Sequence, residues 1–223
     1  MDSKQWLMYL KELYPVDFKT RVDSNLLCLG IPYQVLQDTA KKIYASDYRS
    51  FLHSNPHEVY EMDVIQTKVI GLIKDFDEAL TYLNAFIPYA KEWSLVDSLC
   101  QNFKIAKKYP ETMFDVLETL SKSHDPFDQR IAAVMILCHF VDETHLERSI
   151  DLLLRLNVDH YYTKMAVAWA FQVLAVSSSE HVISVFKTGT LNPWIQNKAI
   201  QKIQDSFRIS EALKMTFKSL RLK

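Results

Sequence analysis

Glycine is scarce in this sequence, with only three among 223 residues. The hairpin turns of β-sheets and the loops that bind phosphate depend on positive-φ residues, and glycine adopts that conformation at the least cost. The scarcity therefore disfavours a sheet of hairpin-linked strands and a glycine-rich nucleotide loop. The chain is predicted to be all-α.

Cysteine is equally scarce, and the three cysteines are odd in number and far apart. This pattern disfavours a disulfide framework and the paired spacing of a zinc knuckle. We expect Cys28, Cys100 and Cys138 to be buried thiols. His53 and His57 are four residues apart, but a proline between them would break the helix that brings such a pair together. We therefore predict neither a metal nor a cofactor.

Long apolar runs and a large net charge are also missing. No apolar run approaches the length of a bilayer span, and the N-terminus mixes charged and periodic apolar residues where a signal peptide would have an apolar core. The sequence predicts a soluble chain with no membrane partner and a cytoplasmic location by default. The net charge is −1, yet residues 181–223 hold eight basic and two acidic side chains. Such a segment is suited to phosphate groups, and it fits a solvated helix face equally well.

Apolar residues recur at helical spacing through most of the chain. In the stretch 64–73, Lys68 is the one polar side chain on the apolar stripe. Most prolines have the positions of caps or first-turn residues of a following helix. These breaks are Pro15, Pro32, Pro56, Pro110, Pro126 and Pro193. They predict about a dozen helices, each of about 10 to 18 residues.

A period of 34 residues is visible in the second half of the chain. Arg130, Lys164 and Lys198 are separated by this interval, and each precedes a run of small apolar residues. A fixed period of about 30 to 45 residues in helical pairs is typical of an α-solenoid. The predicted fold is one domain over residues 1–223, an α-solenoid of about six antiparallel HEAT-like helical pairs with a concave face.

The period also predicts which helices are neighbours. The helices that begin near Asp128, Tyr161 and Pro193 should be adjacent and roughly parallel. The recurrent basic residues would then line one side of the stack, where Lys164 and Lys198 are suited to contacts with a DNA backbone. Double-stranded DNA, bound weakly, is the predicted partner, and a protein partner is the alternative.

The segment EWSLVDS, residues 92–98, contains a pair suited to a functional site. Trp93 and Asp97 are four residues apart, which stacks both side chains on one face of a helix. The repeat assigns four further candidates to the same kind of helix, and they are Arg130, Tyr161, Tyr162 and Trp169. We expect an aromatic wall, a carboxylate and a guanidinium on the concave surface. Taken singly, each residue also fits a structural role: Trp169 a core position, the two tyrosines a helix start, and Asp97 with Arg130 an ion pair.

Together these residues resemble the AlkD-like DNA alkylation repair family, HEAT-repeat proteins that release cationic alkylpurines from DNA. WSLVD is similar to the family's Trp-x-x-x-Asp motif, and FDQRIAA is similar to its arginine-bearing helix start. YYTKMAVAW is similar to its paired aromatic residues followed by a tryptophan. The resemblance extends from Leu29 to residue 207, which is most of the chain.

The resemblance implies a role for each of these residues. Asp97 would be the catalytic carboxylate, with Trp93 and Arg130 beside it in the catalytic site. The substrate-binding residues would be Tyr161, Tyr162 and Trp169. An alkylated purine that already carries positive charge is a good leaving group, so the reaction needs no general acid. The carboxylate would stabilise the positive charge that develops on the sugar as the bond breaks.

One interval departs from the family pattern. The resemblance implies a second N-terminal helix that packs against the DNA backbone, but residues 15–28 leave too little chain for a helix and two connections. The chain resembles a short subgroup of the family that lacks this helix. We therefore predict a DNA-repair-type protein with weak or no glycosylase activity. An active alkylpurine glycosylase and a non-catalytic, protein-binding HEAT scaffold are the alternatives.

Overall fold

The computed structural model describes residues 1–15, 20–21, 26–156 and 159–222. Within these ranges the chain forms thirteen α-helices, two short 3₁₀ helices and one pair of two-residue strands. The prediction of an all-α protein is therefore confirmed. None of the described helices is long and apolar enough to cross a membrane.

The first half of the described chain contains both strands and six of the helices. They are α1 (Ser3–Leu13), β1 (Thr20–Arg21), β2 (Leu27–Cys28), α2 (Tyr33–Tyr44), α3 (Tyr48–Ser54), α4 (Tyr60–Leu72), α5 (Phe76–Phe86) and α6 (Trp93–Asn102). The second half contains α7 (Pro110–Ser121), α8 (Pro126–His139), α9 (Leu146–Arg155), α10 (Tyr161–Ser177), α11 (Ser179–Thr188), α12 (Pro193–Gln204) and α13 (Glu211–Ser219). The 3₁₀ helices are Ile87–Tyr89 and Lys104–Lys108.

Prolines begin helices as the sequence predicts. Pro110, Pro126 and Pro193 lie in the first turn of α7, α8 and α12 respectively. Proline suits this position because the N–H that it lacks would have no partner within the helix. Asp125 and Asn192 complete two of these helix starts, since their side chains accept hydrogen bonds from backbone N–H groups.

Backbone contacts divide the chain into two compact units, unit 1 (residues 1–105) and unit 2 (residues 106–223). The single domain expected from the sequence stays a prediction. In unit 1, α4 packs against both α2 and α6, α3 packs against α1 and α2, and α5 packs against α4. Ten of the thirteen residues of α4 are buried, which makes this helix the centre of the core of unit 1.

Three contacts along α4 show that α4 and α6 run parallel. Near both N-termini, the Tyr60 hydroxyl donates a hydrogen bond to Ser94 Oγ at 2.9 Å. Midway, the oxygens of Thr67 and Ser98 lie 2.6 Å apart. Near both C-termini, Gly71 lies against Asn102. Parallel helices that follow one another at a fixed interval are what a helical repeat requires.

Unit 2 repeats this arrangement with α10 as its central helix, packed against α8 and α12. At the N-terminal ends, Thr163 Oγ1 donates a hydrogen bond to the Pro126 carbonyl oxygen at 2.7 Å. At the C-terminal ends, Ser177 Oγ donates one to the Val141 carbonyl oxygen at 3.1 Å. The helices α8 and α10 are therefore parallel. The rings of Tyr161 and Trp194, 6.1 Å apart, join the starts of α10 and α12, and the predicted neighbours are confirmed.

A second set of contacts joins α7 and α9 of unit 2. Arg148 Nη1 donates a hydrogen bond to Glu111 Oε2 at 2.8 Å. Two helical turns further on, Arg155 Nη1 donates to Glu118 Oε2 at the same distance. Both pairs are separated by 37 residues, so these two helices are also parallel neighbours. Exposed ion pairs of this kind add about 0 to 1 kcal/mol each, and they define register more than stability.

The interval 15–28 is described only in part. Thr20 pairs with Cys28 and Arg21 with Leu27 in the antiparallel strand pair. Residues 16–19 and 22–25 lie outside the described part of the chain. For these residues the absence of a helix stays a prediction. The residues of this interval that the structure describes are not helical.

The prediction of three buried thiols is only partly right. Cys100 is fully buried on α6, but Cys28 and Cys138 are half-buried. Cys28 lies in β2 with its sulfur 3.4 Å from Glu61 Oε1, so it belongs to a polar turn and not to the apolar core. No disulfide joins these three cysteines, all of which the structure describes.

Gly71 allows the close approach of α4 and α6, and its substitution should separate them. A Cβ at this position would lie 2.5 Å from the Asn102 carbonyl oxygen and 2.7 Å from the Asn102 Cβ. Alanine gains about 1 kcal/mol of helix propensity over glycine, but this overlap should cost about 2 to 3 kcal/mol. We expect Gly71→Ala to lower the free energy of unfolding, measured by urea denaturation.

Gly189→Ala is the matched control for this substitution. Gly189 has φ +68° and a Cβ there would meet nothing within 4 Å, so only about 1 kcal/mol of backbone strain should result. A Gly71→Ala protein that is as stable as the wild type would show that α4 and α6 are not held at this distance.

Candidate functional site

The site in unit 1 is built on a buried carboxylate of α4. Glu61 is only 2% exposed, and its Oε1 accepts hydrogen bonds from the backbone N–H groups of Gly30 at 2.7 Å, Leu29 at 2.8 Å and Ile31 at 3.3 Å. Gly30 adopts φ +73°, which turns consecutive N–H groups towards one acceptor. This turn leads directly into α2 and fixes where that helix begins.

A cavity of about 390 Å³ opens between α2, α4 and α6, next to this turn. The side chains of functional interest that line it are Tyr33, Tyr60, Trp93, Asp97, Ser98 and Gln101. Ile31 of the turn, Leu36 of α2, Val64 of α4 and Ser94 of α6 complete its walls. A concave site with several aromatic walls and a few polar groups is suited to a small planar ligand.

Trp93 and Asp97 lie where the sequence predicts, one turn apart on the first part of α6, and both line this cavity. The indole of Trp93 is 43% exposed, while Asp97 is half-buried. A half-buried carboxylate experiences a lower effective dielectric than one in water, so it attracts a nearby cation more strongly. This wall of the cavity therefore favours a positively charged or planar aromatic group.

Two tyrosines in the cavity were missed by the sequence analysis. Tyr33 begins α2, and Lys68 Nζ lies 3.7 Å from the centroid of its ring. The polar residue on the apolar stripe of α4 thus has a cation–π contact within the fold. Tyr60 begins α4 and hydrogen-bonds Ser94 at the start of α6. The interval from Tyr60 to Ser94 is 34 residues, so the period of the second half, extended towards the N-terminus, could have found this pair.

Burial raises the pKa of the Tyr60 phenol above its usual value, and the hydrogen bond to Ser94 opposes that shift. The phenol therefore stays protonated and donates its hydrogen bond over the physiological range. In the cavity the Tyr60 phenol is therefore a hydrogen-bond donor and not a base.

The remaining predicted site residues belong to unit 2. Arg130 on α8 is 5% exposed, and its Nη1 donates a hydrogen bond to the Tyr162 carbonyl oxygen at 2.5 Å. Arg130 thus ties the start of α8 to the start of α10, which is a structural contact that the sequence did not reveal. Tyr161 is 55% exposed, and its ring meets that of Tyr162 edge to face at 5.3 Å. Trp169 is half-buried, about two turns along the same helix.

The structure places Trp93 and Asp97 together in unit 1, and it places Arg130, Tyr161 and Tyr162 together in unit 2. That the two sets share one concave surface stays a prediction. The catalytic and substrate-binding roles that the resemblance implies stay predictions as well.

The predicted DNA-backbone lysines lie on α10 and α12 of unit 2. Lys164 Nζ is 2.5 Å from Asp159 and 5.0 Å from the ring centroid of Trp194. Lys198 Nζ donates a hydrogen bond to Gln201 Oε1 at 2.9 Å. Trp194 is 38% exposed at the start of α12, and it adds an aromatic surface that the sequence analysis overlooked.

A third lysine, Lys202, lies one turn beyond Lys198 on α12. Its pKa is lowered, first by burial and then by the positive charge of Lys198, with Arg130 adding to the effect and Asp205 opposing it. Lys202 therefore lies in a region of positive potential, and a bound anion would stabilise its charged form.

The two histidines considered as zinc ligands have other contacts. His53 Nδ1 lies 2.7 Å from the Arg49 carbonyl oxygen. His57 Nδ1 lies 2.7 Å from Asp63 Oδ1, and its ring stacks on Tyr89 at 3.6 Å. Among the residues that the structure describes, no three histidine, cysteine, aspartate or glutamate side chains form a group that could hold a metal ion.

Comparison with known protein families supports the resemblance on which these residues were chosen. Residues 14–203 match the model of a family described as DNA alkylation repair enzyme. Comparison with curated proteins found no match.

The raised pKa of Tyr60 predicts a pH dependence of stability. A phenol whose folded pKa lies above its unfolded value of about 10 gives up its proton first in the unfolded chain, so stability is lost as pH rises through and above about 10. Above that pH, we expect the unfolding free energy of the wild type to fall relative to that of Tyr60→Phe, which has no phenol proton to lose. Urea denaturation at a series of pH values measures it.

Ser94→Ala separates the two influences on Tyr60. Because burial is the larger influence and the Ser94 hydrogen bond opposes it, the pH dependence should persist in this variant. A difference between the wild type and Tyr60→Phe that is constant from pH 8 to 11 would contradict the burial of the phenol.

Proposed function

The chain belongs to the DNA alkylation repair enzyme family, and on this premise we propose that it binds DNA that carries cationic N3- or N7-alkylated purines. The observation that carries the proposal is the cavity of about 390 Å³ in unit 1, which Trp93 and Asp97 both line. These are the two residues of the Trp-x-x-x-Asp motif. A carboxylate beside an exposed indole suits a nucleotide with a positively charged base or sugar.

The chemistry requires Asp97 to act on a developing cation. As the bond to an alkylated base breaks, the sugar acquires oxocarbenium character. A carboxylate about 4 Å from that charge contributes at most about 4 kcal/mol at an effective dielectric of about 20, which is roughly a thousandfold in rate. The indole of Trp93 would add about 0.5 to 2 kcal/mol of cation–π attraction. Tyr60 and Tyr33 would limit how the nucleotide enters the cavity.

Unit 2 contributes positive charge and aromatic surface in this proposal. Arg130 would hold a backbone phosphate by a bidentate contact, and Lys164 and Lys198 would contact the DNA backbone. Tyr161, Tyr162 and Trp169 would bind the substrate. The exposure of Tyr161 and the basic character of residues 181–223 support these roles.

Weak excision is the second part of the proposal. We assign the chain to the short subgroup that lacks the second N-terminal helix, because residues 15–28 offer only two-residue strands where the structure describes them. Without that helix the nucleotide is held less firmly beside Asp97. A carboxylate that is not positioned loses the large advantage of a fixed orientation. The chain would then bind alkylated DNA and release the base slowly or not at all.

Base release from DNA that contains 7-methylguanine or 3-methyladenine tests the catalytic part. We expect the wild type to lie near the uncatalysed rate. Replacement of residues 15–28 by a family-type helix should raise the rate, and Asp97→Asn in that grafted chain should abolish the gain, by up to about a thousandfold. A family glycosylase provides the positive control for the assay.

Asp77→Asn is the matched control, because Asp77 is an exposed carboxylate on α5 of the same unit. It should leave the rate of the grafted chain unchanged. Robust base release by the unmodified chain would show that the second helix is dispensable and that the chain is an active glycosylase.

DNA binding is tested by fluorescence anisotropy with duplex DNA over a range of salt concentrations. Affinity should fall steeply as salt rises, since each phosphate contact releases counterions. Reversal of Lys164 and Lys198 to glutamate should lower the affinity about tenfold or more and flatten the salt dependence. Lys187→Glu, an exposed lysine on α11, should have a smaller effect. Affinity that is undetectable at low salt would favour the protein-binding scaffold.

A further inference from the structure

The connection between α12 and α13 holds an aromatic side chain out into solvent. Phe207 is fully exposed, at 103% of its reference surface. The residues on both sides of it are anchored. The Ser206 N–H donates a hydrogen bond to the Ile203 carbonyl oxygen at 3.2 Å, and the Arg208 N–H donates to Ser206 Oγ at 3.3 Å. Ile209 is buried in the core of unit 2, so the ring of Phe207 is directed outwards by a fixed loop.

Phe207 is part of a concave surface and not an isolated exposed residue. A cavity of about 410 Å³ lies between this loop, α10 and α12. Trp169 and Gln172 line it from α10, Lys202 lines it from α12, and Asp205, Ser206, Phe207 and Arg208 line it from the loop. One cavity thus presents two aromatic side chains, two cations and one carboxylate, and the cations outnumber the carboxylate.

The charge at this cavity favours an anion. Lys202 is half-buried, and burial lowers its pKa, with the charges of Lys198 and Arg130 adding to the effect and Asp205 opposing it. Arg208 adds a further positive charge at the rim. A phosphate group placed here would offset the repulsion among the cations.

Aromatic surfaces beside cations match the two parts of a nucleotide. A nucleobase stacks on aromatic rings whatever its sequence, and its phosphate is attracted to lysine and arginine. In paired DNA the bases are stacked on one another, so the only base that can reach such a ring without strand separation is one that has no partner. An acidic peptide would match the cations but would leave the planar rings without a planar partner.

We propose that this cavity is a subsite for one unpaired nucleotide of DNA, with its base against Phe207 and Trp169 and its phosphate against Lys202 and Arg208. The proposal rests on the proposed DNA binding and adds a preference for DNA in which a base has left the stack. It assigns Phe207, Lys202 and Arg208 a role in recognition that the Trp-x-x-x-Asp motif does not include.

Fluorescence anisotropy with the chain of residues 1–223 at low salt tests this subsite. The probes are a labelled duplex and the same duplex with a single-nucleotide bulge. We expect the wild type to bind the bulged duplex about tenfold more tightly than the paired one. Phe207→Ala should remove this preference, so that the bulged and paired duplexes bind with equal affinity. Phe207→Trp should retain the preference, because indole also stacks on bases.

Two further variants separate stacking from charge. Lys202→Gln combined with Arg208→Gln should weaken the binding of both duplexes and reduce the slope of log affinity against log salt by about two phosphate contacts. Met215→Ala removes another exposed apolar side chain, 72% exposed on α13, and should leave both affinities unchanged.

A 2-aminopurine at the bulge reports stacking directly. If it stacks on the ring of Phe207, its fluorescence should fall on binding the wild type but not on binding Phe207→Ala.

The outcomes distinguish the subsite from the proposed function. Equal affinity for bulged and paired duplexes, or a preference that survives Phe207→Ala, overturns the subsite while DNA binding stands. No binding to either duplex overturns the proposed function, and the subsite with it.

Discussion

The carboxylate of Glu61 is the interaction on which the site in unit 1 depends. It is buried on α4 and accepts hydrogen bonds from three consecutive backbone N–H groups, those of Leu29, Gly30 and Ile31. A buried N–H that is left without an acceptor costs about 1 to 3 kcal/mol, so the turn is held to this helix. Ile31 and Tyr33, two residues further on, line the cavity of about 390 Å³. The Glu61 side chain therefore fixes the position of this wall, although Glu61 does not line the cavity.

The parallel central helices impose a second constraint, which is close approach. Gly71 allows α4 to lie against α6, and alanines serve the same purpose in unit 2, where Ala132, Ala166 and Ala199 are at most 1% exposed. Small side chains let the helices pack with little space between them. The same face of each helix then recurs at a fixed interval along the chain. A residue at the start of one central helix is thereby brought next to the start of the next parallel helix of its own unit. Tyr60 of α4 meets α6 in this way, and Tyr161 of α10 meets α12.

Local features of the sequence were sufficient to predict the fold class and the neighbouring positions of Trp93 and Asp97 on α6, and non-local contacts explain most of what was missed. Few glycines and proline-started helices are local signals, and so is the spacing that puts Trp93 and Asp97 on one face of α6. The interaction that positions Tyr33 in the cavity wall is not local, because it is the contact of Glu61 with a turn some thirty residues earlier. For Arg130 the structure adds a contact that apolar periodicity does not encode, the hydrogen bond from its Nη1 to the Tyr162 carbonyl oxygen.

The two units differ in the charge that they offer beside their aromatic residues. In unit 1 the cavity combines Trp93 with the carboxylate of Asp97, an arrangement that attracts a cation. In unit 2 the cavity combines Trp169 with Lys202, Arg208 and the carboxylate of Asp205, and its net positive charge attracts an anion. DNA with an alkylated purine carries both charges, positive on the damaged base and negative on every phosphate. In the proposed function, the cavity of unit 1 would therefore attract the damaged base or its sugar, and the cavity of unit 2 would attract a phosphate, each by its own charge.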